Sequence, residues 1–324
     1  MNVFLLLLGI GALIAGAELI VSNGTTLARR LRIPPIIIGL TIVSIGTSIP
    51  ELAVGIDGMV RGHGNLVLGN IVGTDIVNML LIFGLMAAIR PVVIRFSTIK
   101  MDLPAMTAAS VLVWLLALDG SFHWGEGVAL LIFGIAYLWL VVATARRRAV
   151  TVPGAVHVPE EEQTPLREGR KWMWIEFGLL LVGLAVIVFG ADWMLTGAVG
   201  IAESLGVSDT IIGLTVVAIG TSAPELATAL TSTFKGGDRA IAVGNLIGSS
   251  AMNPTVILGA SLLFGPGSVE VAPSLMYVSM PLMVVTALAL VPIFLIGKKV
   301  SRLNGALMVT AYAAYLTYLI VNVY

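Results

Sequence analysis

Cysteine is missing altogether from the 324 residues, and charge is scarce. Without a thiol there is no disulfide and no thiolate metal site. Lys, Arg, Asp and Glu together make up 11% of the chain, whereas soluble domains carry about 25%. Basic and acidic residues number 18 each, so there is no net positive charge to favour a nucleic-acid partner. The three histidines, His63, His123 and His157, all fall in polar stretches between apolar runs, where a solvated side chain is expected. The opening Met1-Asn2-Val3-Phe4 has no basic n-region, and no small-residue cleavage site follows. The first apolar run therefore reads as a retained helix and not as a signal peptide.

What fills the chain is hydrophobic: 58% of residues, with a mean hydropathy of +1.02. A soluble fold could not hide that much apolar surface, so the chain reads as an integral membrane protein embedded in a lipid bilayer. A spanning helix needs about 20 mostly apolar residues. Ten candidates run 3–24, 35–60, 64–89, 102–118, 125–143, 174–198, 209–233, 239–264, 274–296 and 304–323. The one long polar stretch, 146–171, holds Arg146-Arg147-Arg148, three prolines and Glu160-Glu161-Glu162. That composition suits a flexible linker. The fold class expected is an all-α polytopic membrane protein of two five-helix repeats, 1–145 and 172–324.

Orientation follows from Lys and Arg. Loops after spans 1, 3, 5, 7 and 9 hold 17 of the 18, and only Arg61 lies on the other side. Those loops, including the 146–171 linker, are expected in the cytoplasm of an inner-membrane protein, with both termini outside. Five spans per half is odd, so the second half enters the membrane upside down. Inverted repeats are a transporter architecture with the site near the midplane at the repeat interface.

The repeat is visible in the residues. Gly46-Thr47-Ser48-Ile49-Pro50-Glu51 returns as Gly220-Thr221-Ser222-Ala223-Pro224-Glu225, 174 residues on. Gly69-Asn70 through Thr74-Asp75 to Asn78 returns as Gly244-Asn245 through Ser249-Ser250 to Asn253. On a helix, Thr47, Ser48 and Glu51 share a face. Pro50 has no N–H to give the carbonyl of Gly46, so the helix should break there. Freed backbone carbonyls are tolerated in a membrane only where they are buried in protein or line a watery cavity.

Brought together, the copies offer two carboxylates, several hydroxyls and two amides, all oxygen ligands. Calcium takes 6–8 oxygens, and without His or Cys in the cluster zinc and copper are disfavoured. Two glutamates balance one calcium ion, two sodium ions or two protons, the condition for exchange. An intramembrane carboxylate is costly and functional by default, and no Lys or Arg lies inside the spans near Glu51 or Glu225. Asp75, whose counterpart is Ser250, stays open between ligand, proton site and packing residue. Glu18 and Asp192 match each other and stay open between lining the ion path and anchoring helices. Asn70 and Asn245 either satisfy backbone groups or hold an ion. Glycine and alanine recur through spans 1, 2, 6 and 7, permitting close helix approach, and spans 1 and 6 are expected to slide over the site helices.

At these two signatures the chain resembles the calcium/cation antiporter superfamily, specifically the prokaryotic sodium/calcium exchangers. The resemblance implies a midplane cluster of ion positions for calcium and sodium and no cofactor. It carries a ligand role to Thr47, Ser48, Glu51, Thr74 and Asn78, and to Thr221, Ser222, Glu225, Ser249 and Asn253. Backbone carbonyls of Ser44 and Ala218 are implied as sodium ligands by the same match. The chain departs from the family pattern at Asp75, where a neutral residue is usual. The function expected is calcium-for-sodium antiport by a monomer, with calcium/proton or potassium-dependent exchange on the same fold as the alternative. A hydrolase is disfavoured because no activating base stands beside Ser48 or Ser222. A passive channel is disfavoured by the duplicated, inverted, broken-helix pattern.

Overall fold

The structure, a computed structural model, describes residues 1–31, 35–62, 64–93, 100–151, 170–204, 218–234, 239–265, 267–297 and 299–322. It is helical almost throughout. In chain order the helices are α1 (Asn2–Leu31), α2 (Pro35–Val60), α3 (Gly64–Ile89), α4 (Asp102–Asp119) and α5 (Trp124–Thr151). After the central polar stretch come α6 (Arg170–Ser204), α7 (Ala218–Thr221 and Ala223–Phe234) and α8 (Ala240–Leu263). The last two are α9 (Leu275–Ser279 continuing through Met280–Gly297) and α10 (Arg302–Asn322). Eight of them, all except α7 and α10, are long and apolar enough among the described residues to cross a membrane. Residues 209–217 of the seventh expected span lie outside the described residues.

Two helices run further than expected. The first span was read to residue 24, but α1 continues to Leu31. Asn23, Thr25 and Thr26, at that boundary, are residue types that can stop a helix. Each instead donates its side chain to a carbonyl four residues back, Leu19, Val21 and Ser22, at 2.8, 2.8 and 2.9 Å. Polar groups satisfied by their own helix need not end it. Likewise α5 runs to Thr151, six residues into the stretch read as a linker; residues 152–169 lie outside the described residues.

Four short strands tie the helix ends. β1 (Val92–Val93) pairs antiparallel with β4 (Lys299–Val300), Val92 opposite Val300. β2 (Ser121–His123) pairs antiparallel with β3 (Ser268–Glu270), Phe122 opposite Val269. β1 precedes α4 and β2 follows it; β3 precedes α9 and β4 follows it. The two ribbons therefore lie at opposite ends of α4 and α9, and each joins one half of the chain to the other.

Helix contacts obey the same exchange of halves. A Cβ on Gly84 would lie 3.1 Å from the carbonyl oxygen of Gly305, and one on Gly259 would lie 2.7 Å from that of Gly127. So α3 abuts α10 as α8 abuts α5. Tyr137 on α5 donates to Asp102 at the start of α4 at 3.2 Å. Tyr315 on α10 donates to Ser279 on α9 at 2.9 Å. The large core cluster lies in this eight-helix frame, around residues such as Leu68, Ile71, Phe83, Met106, Leu246 and Phe294.

α1 and α6 form a separate antiparallel pair with its own core of Leu13, Ala17, Ile20, Leu180, Leu184 and Ile187. Their seam is lined by glycine at seven-residue intervals. A Cβ on Gly9 would meet the Gly190 carbonyl at 2.6 Å, and one on Gly16 the Gly183 carbonyl at 2.8 Å. Small residues permit such backbone contact between membrane helices. At the end of the seam, Arg30 Nε donates to Glu176 Oε2 in an ion pair that is largely shielded from solvent.

Candidate cation site

α2 and α8 cross with their backbones in contact, because glycine occupies the crossing. A Cβ on Gly39 would come within 2.9 Å of the Asn245 nitrogen, and one on Gly244 within 3.0 Å of the Leu40 nitrogen. One turn on, a Cβ on Gly248 would reach the Ser44 hydroxyl at 2.8 Å. This crossing sets Ser44, Thr47 and Ser48 directly against Asn245 and Ser249.

The expected helix break is present in both copies. Helix Ser44–Thr47 ends at Ser48, which has φ −88° and ψ 7°, and a new helix starts at Ile49. The second copy breaks between Thr221 and Ala223. A second irregularity was not legible beforehand. The π-helical segments Val77–Ile82 and Asn253–Ile257 begin at or beside Asn78 and Asn253. Such segments are frequent at functional sites because they re-aim side chains within a helix. Pro254 was the one available signal, and Met79 in the other half gives none.

Two symmetric hydrogen bonds brace the halves. Thr47 donates to Asn245 Oδ1 at 3.0 Å, and Thr221 donates to Asn70 Oδ1 at 3.3 Å. Asn70 and Asn245, left open in the sequence, thus serve as acceptors across the interface. Ser48 donates to Ser249 at 3.4 Å, and Ser249 donates to Glu225 Oε1 at 3.2 Å. Asn253 Nδ2 donates to Asp75 Oδ1 at 3.4 Å. Glu225 and Asp75 both lie within electrostatic reach of Glu51. Thr47→Val is expected to lower stability by roughly 1–3 kcal/mol, and the melting temperature with it, because Asn245 Oδ1 would lose its donor while staying buried. Thr47→Ser should restore it; thermal melting in detergent reads both.

Eleven of the twelve expected ligand residues have side chains described in the structure: Ser44, Thr47, Ser48, Glu51, Thr74, Asn78, Thr221, Ser222, Glu225, Ser249 and Asn253. All eleven are buried. Ala218 opens the first piece of α7. The Ser44 carbonyl, expected as a sodium ligand, accepts the Ser48 N–H at 3.2 Å and keeps one lone pair. Glu18 and Asp192 are exposed on α1 and α6, away from this cluster. His123 is exposed too, while His63 and His157 lie outside the described residues.

The electrostatics of the cluster are out of balance. Buried polar atoms are normally hydrogen-bonded. Here both Glu51 oxygens, Glu225 Oε2, Asp75 Oδ2, Asn78 Oδ1 and Asn253 Oδ1 have no partner, nor do the hydroxyls of Thr74 and Ser250. Every orphaned buried polar atom among the described residues falls within 51–78 or 225–253. Among the described residues no Lys, Arg or His is buried. The amide nitrogens of Asn70, Asn78 and Asn245 are unpartnered too, but uncompensated buried carboxylates cost several kcal/mol each, and carboxylate and amide oxygens gathered in one place are what a hard cation binds.

A fold of crossed, broken helices around an all-oxygen cluster defines a cation carrier of the membrane, and comparison with known proteins gives its family. The family described as sodium/calcium exchanger protein matches residues 1–143 and 175–321, and the chain belongs to it. It is 33% identical over 311 residues to the putative antiporter CaxA of Alkalimonas amylolytica, covering 95% of both chains. It is 30% identical to the sodium/calcium exchanger MaX1 of Methanosarcina acetivorans, covering 98% of both. Among solved structures, the sodium-calcium exchanger NCX_Mj superposes with a TM-score of 0.83 at 28% identity, over 98% of this chain and 97% of that one.

Proposed function

We propose that this protein is a secondary antiporter that exchanges calcium for sodium by alternating access. The observation that carries the reading is the set of unpartnered buried oxygens of Glu51, Glu225, Asn78 and Asn253, gathered from both halves, with no cationic side chain buried among the described residues. A buried cluster of that kind is stable only when loaded, so cargo must neutralise it before it moves through apolar surroundings.

In this reading Glu51 and Glu225 bridge calcium from opposite sides. Thr47, Ser48, Thr221 and Ser222 add hydroxyl oxygens, and the carbonyls of Ser44 and Ala218 take sodium with Thr74 and Ser249. Asn78 and Asn253 complete the set at the π-helical segments. Ten spans form two inverted halves, 1–145 and 172–324, joined by a cytoplasmic linker at 146–171, with both termini outside the cell. The carrier works as a monomer, and needs no cofactor because the ions themselves supply the driving force. α1 and α6, packed through glycine and joined at Arg30 and Glu176, move as one body across the frame to switch access.

The deciding experiment is calcium-45 uptake into proteoliposomes under an outward sodium gradient, an outward proton gradient, or neither. Uptake with sodium alone is the expected result. Uptake driven only by protons would make the protein a calcium/proton exchanger on the same fold. No calcium flux under any gradient would overturn the reading.

A further inference from the structure

The corner between α4 and α5 carries chemistry that the buried cluster does not use. A nitrogen of His123, a carboxylate oxygen of Asp119 and one of Glu126 all lie within 4.8 Å of one another. The corner is held in place from behind. Gly120 turns the chain at φ +89°, its carbonyl accepts the Val271 N–H at 2.9 Å, and Phe122 is fully buried opposite Val269. Alternation along β2 then turns His123 outward, where it is exposed. Asp119 Oδ1 accepts the Ser121 N–H at 3.1 Å. Glu126 Oε2 accepts the His123 N–H at 2.6 Å and lies 3.7 Å from His123 Nδ1. Each carboxylate ties one oxygen to the backbone and leaves its second for a further ligand. Helix capping accounts for only part of this arrangement. The counterpart corner, at the start of α10, makes the same backbone bond with neutral residues. Ser301 and Asn304 stand there as His123 and Glu126 stand at α5, one residue before the helix and third within it. Asn304 Oδ1 accepts the Ser301 N–H at 3.3 Å, and Ser301 Oγ accepts the Asn304 N–H at 3.1 Å. Serine is favoured at that place because its oxygen caps the helix, and histidine is not. At α5 an imidazole takes the place of the cap, with two carboxylates beside it.

We infer that Asp119, His123 and Glu126 form a binding site for one divalent transition-metal ion of the zinc class, at the membrane surface that carries β2 and β3. The donor set selects the ion. An imidazole beside carboxylates suits zinc, nickel or copper, whereas calcium and magnesium take oxygen ligands. Two carboxylates balance the charge of one such ion. Zinc holds nitrogen and oxygen ligands at about 2.0–2.2 Å, so the three side chains close by about an ångström around it. Water takes the remaining position, the arrangement of an open zinc site. The bound ion ties the turn at Asp119 to the first turn of α5, on the strand whose partner β3 belongs to the other half. On the orientation proposed above, the site faces the outside of the cell.

The test is zinc binding to tag-free, metal-stripped, full-length protein in detergent, with calcium in excess to occupy the buried cluster. Titration calorimetry reads the number of ions and their affinity, and thermal melting reads the stabilisation. The wild type should bind one zinc ion more than His123→Gln, and zinc should raise its melting temperature by several degrees. Asp119→Asn and Glu126→Gln keep the oxygens that accept the Ser121 and His123 N–H groups and remove one charge each. Both should melt like the wild type without zinc. Each should weaken zinc binding roughly tenfold or more, the loss seen even for groups one step behind a ligand. Magnesium in place of zinc should give neither heat nor stabilisation. Cobalt in place of zinc should give visible absorption bands that His123→Gln lacks. The same number and affinity of zinc ions in His123→Gln as in the wild type, or no zinc bound by the wild type, would overturn the inference. Should His123→Gln fail to fold, the two carboxylate variants decide: unchanged zinc affinity in both overturns it. Calcium flux enters none of these outcomes, so this site stands or falls apart from the exchanger reading.

Discussion

Glu51→Gln is expected to reduce sodium-driven calcium uptake roughly 100-fold, while the protein folds and melts at a higher temperature than the wild type. Gln is nearly the same size, so packing at this fully buried position is unchanged. What is lost is a charge whose two oxygens have no partner among the described residues. Removing one member of a buried charge pair costs about 3–5 kcal/mol, and roughly 1.4 kcal/mol is a factor of ten in binding. In the ion-free protein the sign reverses: the carboxylate is buried near Glu225 and Asp75, and removing it relieves desolvation and repulsion. Glu225→Gln should lose transport equally but gain less stability, because Glu225 Oε1 already accepts from Ser249. Calcium-45 uptake and thermal melting without calcium read the two effects. Uptake within about threefold of wild type in either variant would remove that residue from the site.

The second large effect is expected at the seam between α1 and α6. Gly9→Leu and Gly190→Leu should abolish transport and lower stability by roughly 1–3 kcal/mol, the usual cost of overpacking. At Gly9 the new Cβ would lie 2.6 Å from the Gly190 carbonyl, and at Gly190 it would lie 3.1 Å from that of Gly9. Backbone cannot turn aside as a flexible side chain can. The same helices supply their own controls. Gly11 and Gly178 have nothing within 4 Å of an added Cβ, so leucine there should leave uptake and melting nearly unchanged. Equal damage at Gly11 and Gly9 would mean that the seam is not what glycine serves.

The candidate site was largely legible in the sequence because it is made of residues that a membrane otherwise rejects. A carboxylate, a proline and two hydroxyls in an apolar run stand out, and their recurrence paired the halves before any contact was known. The later part of the repeat was missed. Gly84 with Gly259, Gly127 with Gly305, and Tyr137 with Tyr315 sit in runs of ordinary apolar residues, where a shared glycine or tyrosine carries little signal alone. The π-helical turns at Asn78 and Asn253 were invisible because π and α turns are built from the same residues. The reach of Asp75 to Asn253 depends on how closely α3 and α8 approach, a tertiary fact that spacing along one helix does not contain. The end of α1 was misplaced because Asn23, Thr25 and Thr26 bond inward to their own helix.

The two small ribbons have a consequence for how such a chain can exist at all. Among the described residues β1 pairs with β4 alone and β2 with β3 alone, so each strand's partner lies in the opposite half. The same holds for the Thr47–Asn245 and Thr221–Asn70 bonds and for the glycine contacts of α3 with α10 and α8 with α5. A gene encoding only residues 1–145 would make a product with open strand edges at both membrane surfaces and half a cargo shell. Such a product could be completed only by a copy of itself inserted the other way up. Joining the two copies fixes their opposed orientations and leaves each free to diverge, as Asp75 and Ser250 have done.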